Sequence, residues 1–240
     1  VLLTGVASGM GRVTARLFAQ EGATVVGGDI DPEGTAETAR LVELDGSHLD
    51  TTAPVDLTNR DQVQAWIDAA VQAHGRIDVL YNNASMPRFA PFPMQSDEDY
   101  LFTIDNELHL VWRACQLVWP HLAASRGAIV NIGSGAGLAG VRSLPQAAHA
   151  AAKGAVMALT RQLAAEGIAV GIRVNSVRPG LIRTDIHASG GSPDRVDRLQ
   201  GQVPMQRAGE AEEIAQAIVW LCSDDASYVT GAVLDVGGGR

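Results

Sequence analysis

Aromatic side chains are scarce in this sequence, at 5% of 240 residues, and tyrosine occurs three times, at Tyr81, Tyr100 and Tyr228. Basic residues are in deficit as well: 18 Lys and Arg stand against 27 Asp and Glu, a formal net charge of −9. That balance excludes the basic footprint that binding a phosphate polymer requires, so no nucleic-acid partner is expected. The two cysteines, Cys115 and Cys222, fall in helix-like contexts. They point to a reducing compartment or to core packing rather than to a disulfide framework. No apolar run is long enough to cross a membrane, and no charged-then-apolar leader opens the chain, so a cytoplasmic location without membrane contact is expected.

What is abundant is apolar surface and glycine: 46% hydrophobic residues, 19% charged, and 26 glycines. Such a chain buries a large core and is not a disordered tail. Short apolar runs alternate with longer amphipathic stretches, which is the βαβ pattern. Strands are expected at residues 1–4, 23–28, 53–56, 77–81, 128–132, 169–177 and 232–236. Helices are expected near 12–21, 33–44, 59–74, 97–121, 147–166 and 211–222. In residues 59–74 the apolar positions Val63, Trp66, Ile67, Ala70 and Val71 repeat with a helical period behind a Thr58 or Asn59 cap. The fold class expected is α/β: a doubly wound, Rossmann-type, seven-stranded parallel sheet in three α/β/α layers, built as one domain over residues 1–240. Residues 185–209, polar and rich in Gly and Pro, are the expected substrate lid.

The glycines cluster where chemistry can use them. Thr4-Gly5-Val6-Ala7-Ser8-Gly9-Met10-Gly11 separates the first strand from the first helix. Glycines there permit a tight turn, close approach of backbone to a pyrophosphate, and close helix packing, while the helix N-terminus offers its amides to the phosphates. Gly5, Ser8, Gly9, Met10 and Gly11 are therefore cofactor-binding candidates. Asp29, followed by Ile30, ends the second strand where an acidic residue can bond the adenosine ribose hydroxyls. A carboxylate repels a 2′-phosphate, and no Arg or Lys directly follows it, so NAD (NADH/NAD+) is the expected cofactor. Arg12 lies past the turn and is expected to cover surface.

From these residues onward the chain resembles the short-chain dehydrogenase/reductase family in its one-domain form. The spacing Gly5-x3-Gly9-x-Gly11 is that family's variant of the glycine turn. Val55-Asp56-Leu57-Thr58 is similar to its adenine-contacting segment, which assigns Asp56 and Leu57 to the cofactor. Asn82-Asn83-Ala84-Ser85 is similar to its Asn-Asn-Ala-Gly stretch, with Ser85 departing from the glycine, and implies contacts from Asn83 and Ala84. Arg173 to Gly180 is similar to the family's sixth-strand ending. The resemblance implies that Pro179, Gly180, Ile182 and Thr184 cup the nicotinamide and its phosphate.

The same resemblance implies a catalytic set of Asn, Ser, Tyr and Lys. Asn106, Ser134 and Lys153 match three of them; the tyrosine position holds His149, and no tyrosine precedes a lysine by four. The Ser134-to-His149 interval is about two residues longer than usual, with Pro145 in the connecting loop. His149 and Lys153, four apart, share a helix face. Histidine is the commonest general acid/base near neutrality. A neutral imidazole can take a proton from an alcohol, which favours oxidation, although it reaches less far than a phenol. Lys153 is also assigned to the cofactor's ribose.

The leading expectation is an NAD(H)-dependent oxidoreductase interconverting a secondary alcohol and a ketone. A non-redox enzyme on the same fold (dehydration or cyclisation) and a catalytically silent dinucleotide-binding regulatory protein are the alternatives. The expected partners are a small-molecule alcohol or ketone and further copies of the chain, as dimer or tetramer. No metal is expected. His74 is expected at a helix C-terminus, His109 on a packed or surface helix position, and His187 at the lid's start. Trp112, Trp119 and Trp220 are expected in the core or between subunits. Met86, Arg88, Phe89 and Phe92 lie where a substrate-facing loop belongs.

Overall fold

The computed structural model describes residues 1–140, 144–184 and 194–239. Its centre is one parallel sheet of seven strands: β1 (Leu2–Thr4), β2 (Val25–Gly28), β3 (Leu49–Thr52), β4 (Val79–Asn82), β5 (Ala128–Ile132), β6 (Arg173–Pro179) and β7 (Val233–Val236). Their spatial order is β3-β2-β1-β4-β5-β6-β7. The helices of the described residues are α1 (Gly9–Gln20), α2 (Pro32–Leu44), α3 (Arg60–His74), α4 (Asp97–Ile104), α5 (Leu110–Ser125), α6 (Ala147–Gly167), α7 (Arg195–Leu199) and α8 (Ala211–Cys222).

Strand periodicity distributes the core to both faces of the sheet. Leu2, Leu80, Ile129 and Val174 pack with Val63, Trp66 and Ile67 of α3, Val111 and Val118 of α5, and Val156 of α6. Leu3, Tyr81, Val130 and Val177, one step along their strands or further, pack with Ala15 and Phe18 of α1 and Ile214 and Ile218 of α8. Adjacent residues of one strand serve opposite layers because side chains alternate across a sheet, and the result is the expected three-layer architecture.

Local chemistry sets the helix ends. Asp31 caps α2 by accepting from the Glu33 and Gly34 amides, with Pro32 at the first helical position. Asn59 caps α3 by accepting from Asp61 and Gln62, and Gly75 ends it in the left-handed region at φ 76°. Glu210 and Glu213 form a reciprocal capping box on α8. By contrast, α1 follows its N-cap Ser8 with no side-chain cap among the described residues, which leaves its first amides open there.

Several expected boundaries move. The third strand is Leu49–Thr52, not residues 53–56. Pro54 has no amide to donate to a ladder, and β3 is an edge strand in which Leu49 alone is buried, so it reads as polar. The first helix starts three residues early, at Gly9. The sixth strand starts at Arg173, because residues 168–170 form a 3-10 turn. The single long helix expected over 97–121 is divided: a π-helical turn at Asp105–His109 separates α4 from α5. A wider turn holds one extra residue and rotates the helix beyond it, yet leaves the apolar pattern continuous to the eye. Of the expected lid, residues 185–193, which include His187, lie outside the described residues; the rest contains α7.

Candidate active site

β1 and β4 are neighbours in the sheet, but the chain leaves β1 in one direction to build β2 and β3 and in the other to build β4. A sheet opens a crevice at the carboxyl ends of such a pair. The glycine turn after β1 and the Asn83-Ala84-Ser85 segment after β4 meet there. A Cβ on Gly5 would fall 2.8 Å from the Ala84 Cα, and one on Gly11 would fall 1.8 Å from the Gly5 carbonyl oxygen. Asn83 Nδ2 donates to that carbonyl at 2.9 Å, and the Asn83 and Ala84 amides donate to Thr4 Oγ1 at 3.0 and 3.1 Å. The turn is therefore locked from both sides, with the uncapped N-terminus of α1 beside it.

Asp29 accepts from the Ala7 amide and from the Asp31 amide, each at 2.9 Å. Ser8 and Ile30 are exposed, Gly9 and Met10 half-buried. Arg12 does not cover surface as expected. Its guanidinium folds beneath the glycine turn to donate to the Ala7 carbonyl, and its Nε donates to Thr38 Oγ1 at 3.0 Å. Asp56 Oδ1 accepts from the Thr58 amide and hydroxyl at 2.8 and 2.7 Å. Leu57 and Ile182 send their side chains into the core. Thr184 approaches the glycine turn, 3.6 Å from the place of a Gly9 Cβ, and Gly180 packs against the Gly237 backbone so closely that a Cβ would fall 2.6 Å from it. A cradle with no room for side chains, unpaired helix amides and an acidic residue at the second strand's end fit a dinucleotide.

The second half of the site follows β5. Ser134 opens a short 3-10 turn, its Oγ accepting from the Ala136 amide at 3.2 Å. His149, in the first turn of α6, places Nε2 3.2 Å from Ser134 Oγ, so the longer connection through Pro145 still delivers the ring to the serine. Lys153, one turn on, is buried and donates from Nζ to the Ile132 carbonyl at 3.2 Å. Phe89 meets the His149 ring edge-on, with centroids 5.9 Å apart.

Two participants escaped the sequence reading. Glu107, completely buried, takes His149 Nδ1 between its oxygens at 2.8 and 2.9 Å and lies 4.0 Å from Lys153 Nζ. Ser85, read from the sequence only as a departure from glycine, donates its hydroxyl to Glu107 Oε1 at 2.5 Å. Burial pushes the Glu107 carboxyl up, but the Lys153 charge, the His149 contact and the Ser85 hydroxyl outweigh it and hold it below the usual carboxylate range. Burial lowers the Lys153 ammonium, and Glu107 offsets only part of that. Asn106, by contrast, spends its amide on the Phe102 carbonyl one turn back, at 2.9 Å. The signal for Glu107 was present: a carboxylate beside Asn106 that leads into an apolar helix, in a chain whose tyrosine position is a histidine.

A family model described as enoyl-(acyl carrier protein) reductase matches residues 5–240. The chain belongs to the short-chain dehydrogenase/reductase family. It is 39% identical to the 3-oxoacyl-acyl-carrier-protein reductase FabG of Thermotoga maritima over 99% of this chain and 96% of that one. It is 39% identical to a hydroxy(phenyl)methylsuccinyl-CoA dehydrogenase subunit, BbsD of Thauera aromatica, over 100% and 95%. Among solved structures, gox2181 superposes with a TM-score of 0.93 at 31% identity, covering 99% of this chain and 93% of that chain. The protein is thus an oxidoreductase of this family.

The remaining candidates fall to other uses. His109 Nδ1 pairs with Asp105 at 2.6 Å on the surface, and His74 pairs with Asp50 at 2.6 Å. Arg88 pairs with Asp99 at 2.9 Å and lies over the Phe102 ring, while Met86 and Phe92 are exposed. Trp119 packs against the core, whereas Trp112 and Trp220 are exposed. Among the described residues no group of three or more His, Cys, Asp or Glu is placed to hold a metal ion, and no helix is long and apolar enough to cross a membrane.

Proposed function

We propose that the protein interconverts a secondary alcohol and a ketone with NAD(H), and that His149 moves the proton. The observation that carries this reading is the 3.2 Å approach of His149 Nε2 to Ser134 Oγ: one substrate oxygen can touch a hydroxyl and a ring nitrogen together. The bound nicotinamide supplies the acceptor for the carbinol hydrogen and its electron pair. Ser134 orients the oxygen, and His149 takes its proton in oxidation and returns it in reduction. Lys153 and Asn106 hold the ribose side and the proton path, Lys153 with its charge balanced by Glu107.

The cofactor residues of this reading are Gly5, Ser8, Gly9, Met10, Gly11, Asp29, Ile30, Asp56, Leu57, Asn83, Ala84, Pro179, Gly180, Ile182 and Thr184. Leu57 and Ile182 contribute backbone, since their side chains are buried. The choice of NAD over NADP rests on the Asp29 carboxylate, which repels a 2′-phosphate. The named reductase and dehydrogenase relatives support carbonyl and alcohol chemistry. Exposed Tyr100, Leu101 and Trp112 on α4 and α5 support self-association of the chain.

Rates with NAD+ and NADP+ over a panel of secondary alcohols, tracked by nicotinamide absorbance, test the proposal. Turnover is expected with NAD+, and His149→Ala is expected to lower kcat by about 10²–10⁴-fold with NADH still bound. Full turnover in that variant would remove His149 from the chemistry. A His149→Tyr variant that gains ketone reduction would show that the framework accepts the other acid.

A further inference from the structure

A carboxylate out of reach of water has to be compensated by its neighbours. Glu107 is such a group: its side chain has no exposure, and it stands on the π-turn between α4 and α5 with Leu110 and Val111 packed in the core just beyond it. The charged and polar groups facing it come from three other elements. His149 and Lys153 reach it from α6, Ser85 from the segment after β4, and Ser134 joins through His149 from the turn after β5.

We infer that Glu107 is a positioning residue for the reaction: its carboxylate holds the His149 ring with the proton on Nδ1, so that the Nε2 lone pair faces Ser134 and the substrate oxygen. This rests on the reading of His149 as the proton-transfer group. An ionised carboxylate only accepts, so the contact at Nδ1 is an N–H donated by His149. At the other end, the Ala136 amide donates to Ser134 Oγ, which leaves the serine's own proton to point at Nε2. The chain of donors then runs one way, from Ala136 through Ser134 to His149 and on to Glu107. Without the carboxylate the ring could carry its proton on Nε2 and present no base to an alcohol.

The same contact matters during the step. When Nε2 takes the hydroxyl proton, the carbinol hydrogen leaves with its electron pair to the oxidised nicotinamide, and the ring becomes a cation. Lys153 opposes that charge, and Glu107 lies against the ring and also faces the ammonium. A carboxylate needed only as counter-ion for Lys153 would not take Nδ1 between both oxygens at 2.8 and 2.9 Å while standing 4.0 Å from the amine. This orienting geometry is what a base needs from a third group.

Three measurements decide it. In the wild-type protein with NADH bound, 15N NMR of the His149 ring is expected to show the neutral form protonated on Nδ1; protonation on Nε2 would overturn the inference. Glu107→Gln keeps the shape and removes the charge. It is expected to lower kcat for alcohol oxidation about 100-fold or more, with the Kd for NADH within about threefold. The acidic limb of its pH profile is expected to move to lower pH, since the imidazolium loses its anion. Glu107→Asp keeps a charge for Lys153 but is one methylene too short for Nδ1, and is expected to bind NADH and lose most of its turnover; it decides the matter if the glutamine variant fails to fold. Wild-type rates and an unchanged profile in either variant would overturn the inference. Should His149→Ala itself retain turnover, the reading of His149 fails whatever Glu107 does; should it be inactive while Glu107→Gln is not, the inference about Glu107 fails alone.

Discussion

In the proposed cofactor cradle, the choice between NAD and NADP rests on single side chains. Asp29 has each oxygen engaged by one backbone amide, Ala7 on one side and Asp31 on the other, so the carboxylate is held in place at the rim of the glycine turn. Arg12, the cation that directly follows the glycine turn, is committed beneath the turn to the Ala7 carbonyl and to Thr38. The proposed NAD preference requires the Asp29 charge to face the ribose. Asp29→Asn keeps the shape and one acceptor oxygen while removing the charge. A charge-assisted hydrogen bond adds about 1.5–3 kcal/mol, so NAD+ binding is expected to weaken about tenfold or more, with the gap to NADP+ narrowing. Titration of both cofactors against wild type and variant checks this; unchanged preference would mean that selection lies elsewhere.

Elements explain why some features were legible in the sequence and others were not. β5 and α8 have the bounds expected from apolar runs alone, because both are buried on a simple period with clear stops. β3 did not, because an edge strand beside Pro54 looks like a loop. The π-turn at Asp105–His109 was illegible for a different reason: the apolar residues on either side continue, and only the hydrogen-bond register changes. Asn106, Ser134, His149 and Lys153 could be singled out one by one as candidates, but the contact of Glu107 with His149 depends on that register and on α6 packing across it. α5 also carries Pro120 in its interior, at an exposed position. The missing amide leaves a carbonyl one turn back without its helical partner. Pro120→Ala is expected to restore that bond and stabilise the protein by about 1 kcal/mol or more, raising Tm by about 2–4 °C for a chain of this size. Calorimetry checks it, and a fall in Tm would mean that the proline itself is needed for packing.

For the whole molecule, buried and ion-paired titratable groups set the pH range in which the fold is stable. Cys115 is fully buried beside Asn82, and burial pushes its thiol up to about 12. In the unfolded chain it ionises near about 8.5. Its contribution is therefore complete below that pH and is lost as pH rises toward 12. Tyr81, buried and donating to Asn83 Oδ1 at 3.0 Å, has its phenol pushed well above the ordinary value and acts with the same sign, from about pH 10 upward. Lys153 acts oppositely: burial lowers its ammonium, so stability gains as pH rises through the folded lysine's lowered value and stops gaining once the unfolded lysine also loses its proton, which softens the alkaline flank. At the acid end Glu213, paired with Arg207, is held at about 2, and Glu107 is lowered too. Their contributions are present above about pH 4.3, the ordinary glutamate value, and are lost as pH falls through the folded values. Thermal melts are expected to show a plateau between about pH 5 and 8 with Tm falling on both sides. Cys115→Ala is expected to lower Tm at neutral pH through the lost volume yet to flatten the decline above about pH 9. An alkaline flank of unchanged slope in that variant would shift the cause from this thiol to Tyr81 and to Cys222, whose thiol burial also pushes up to about 12.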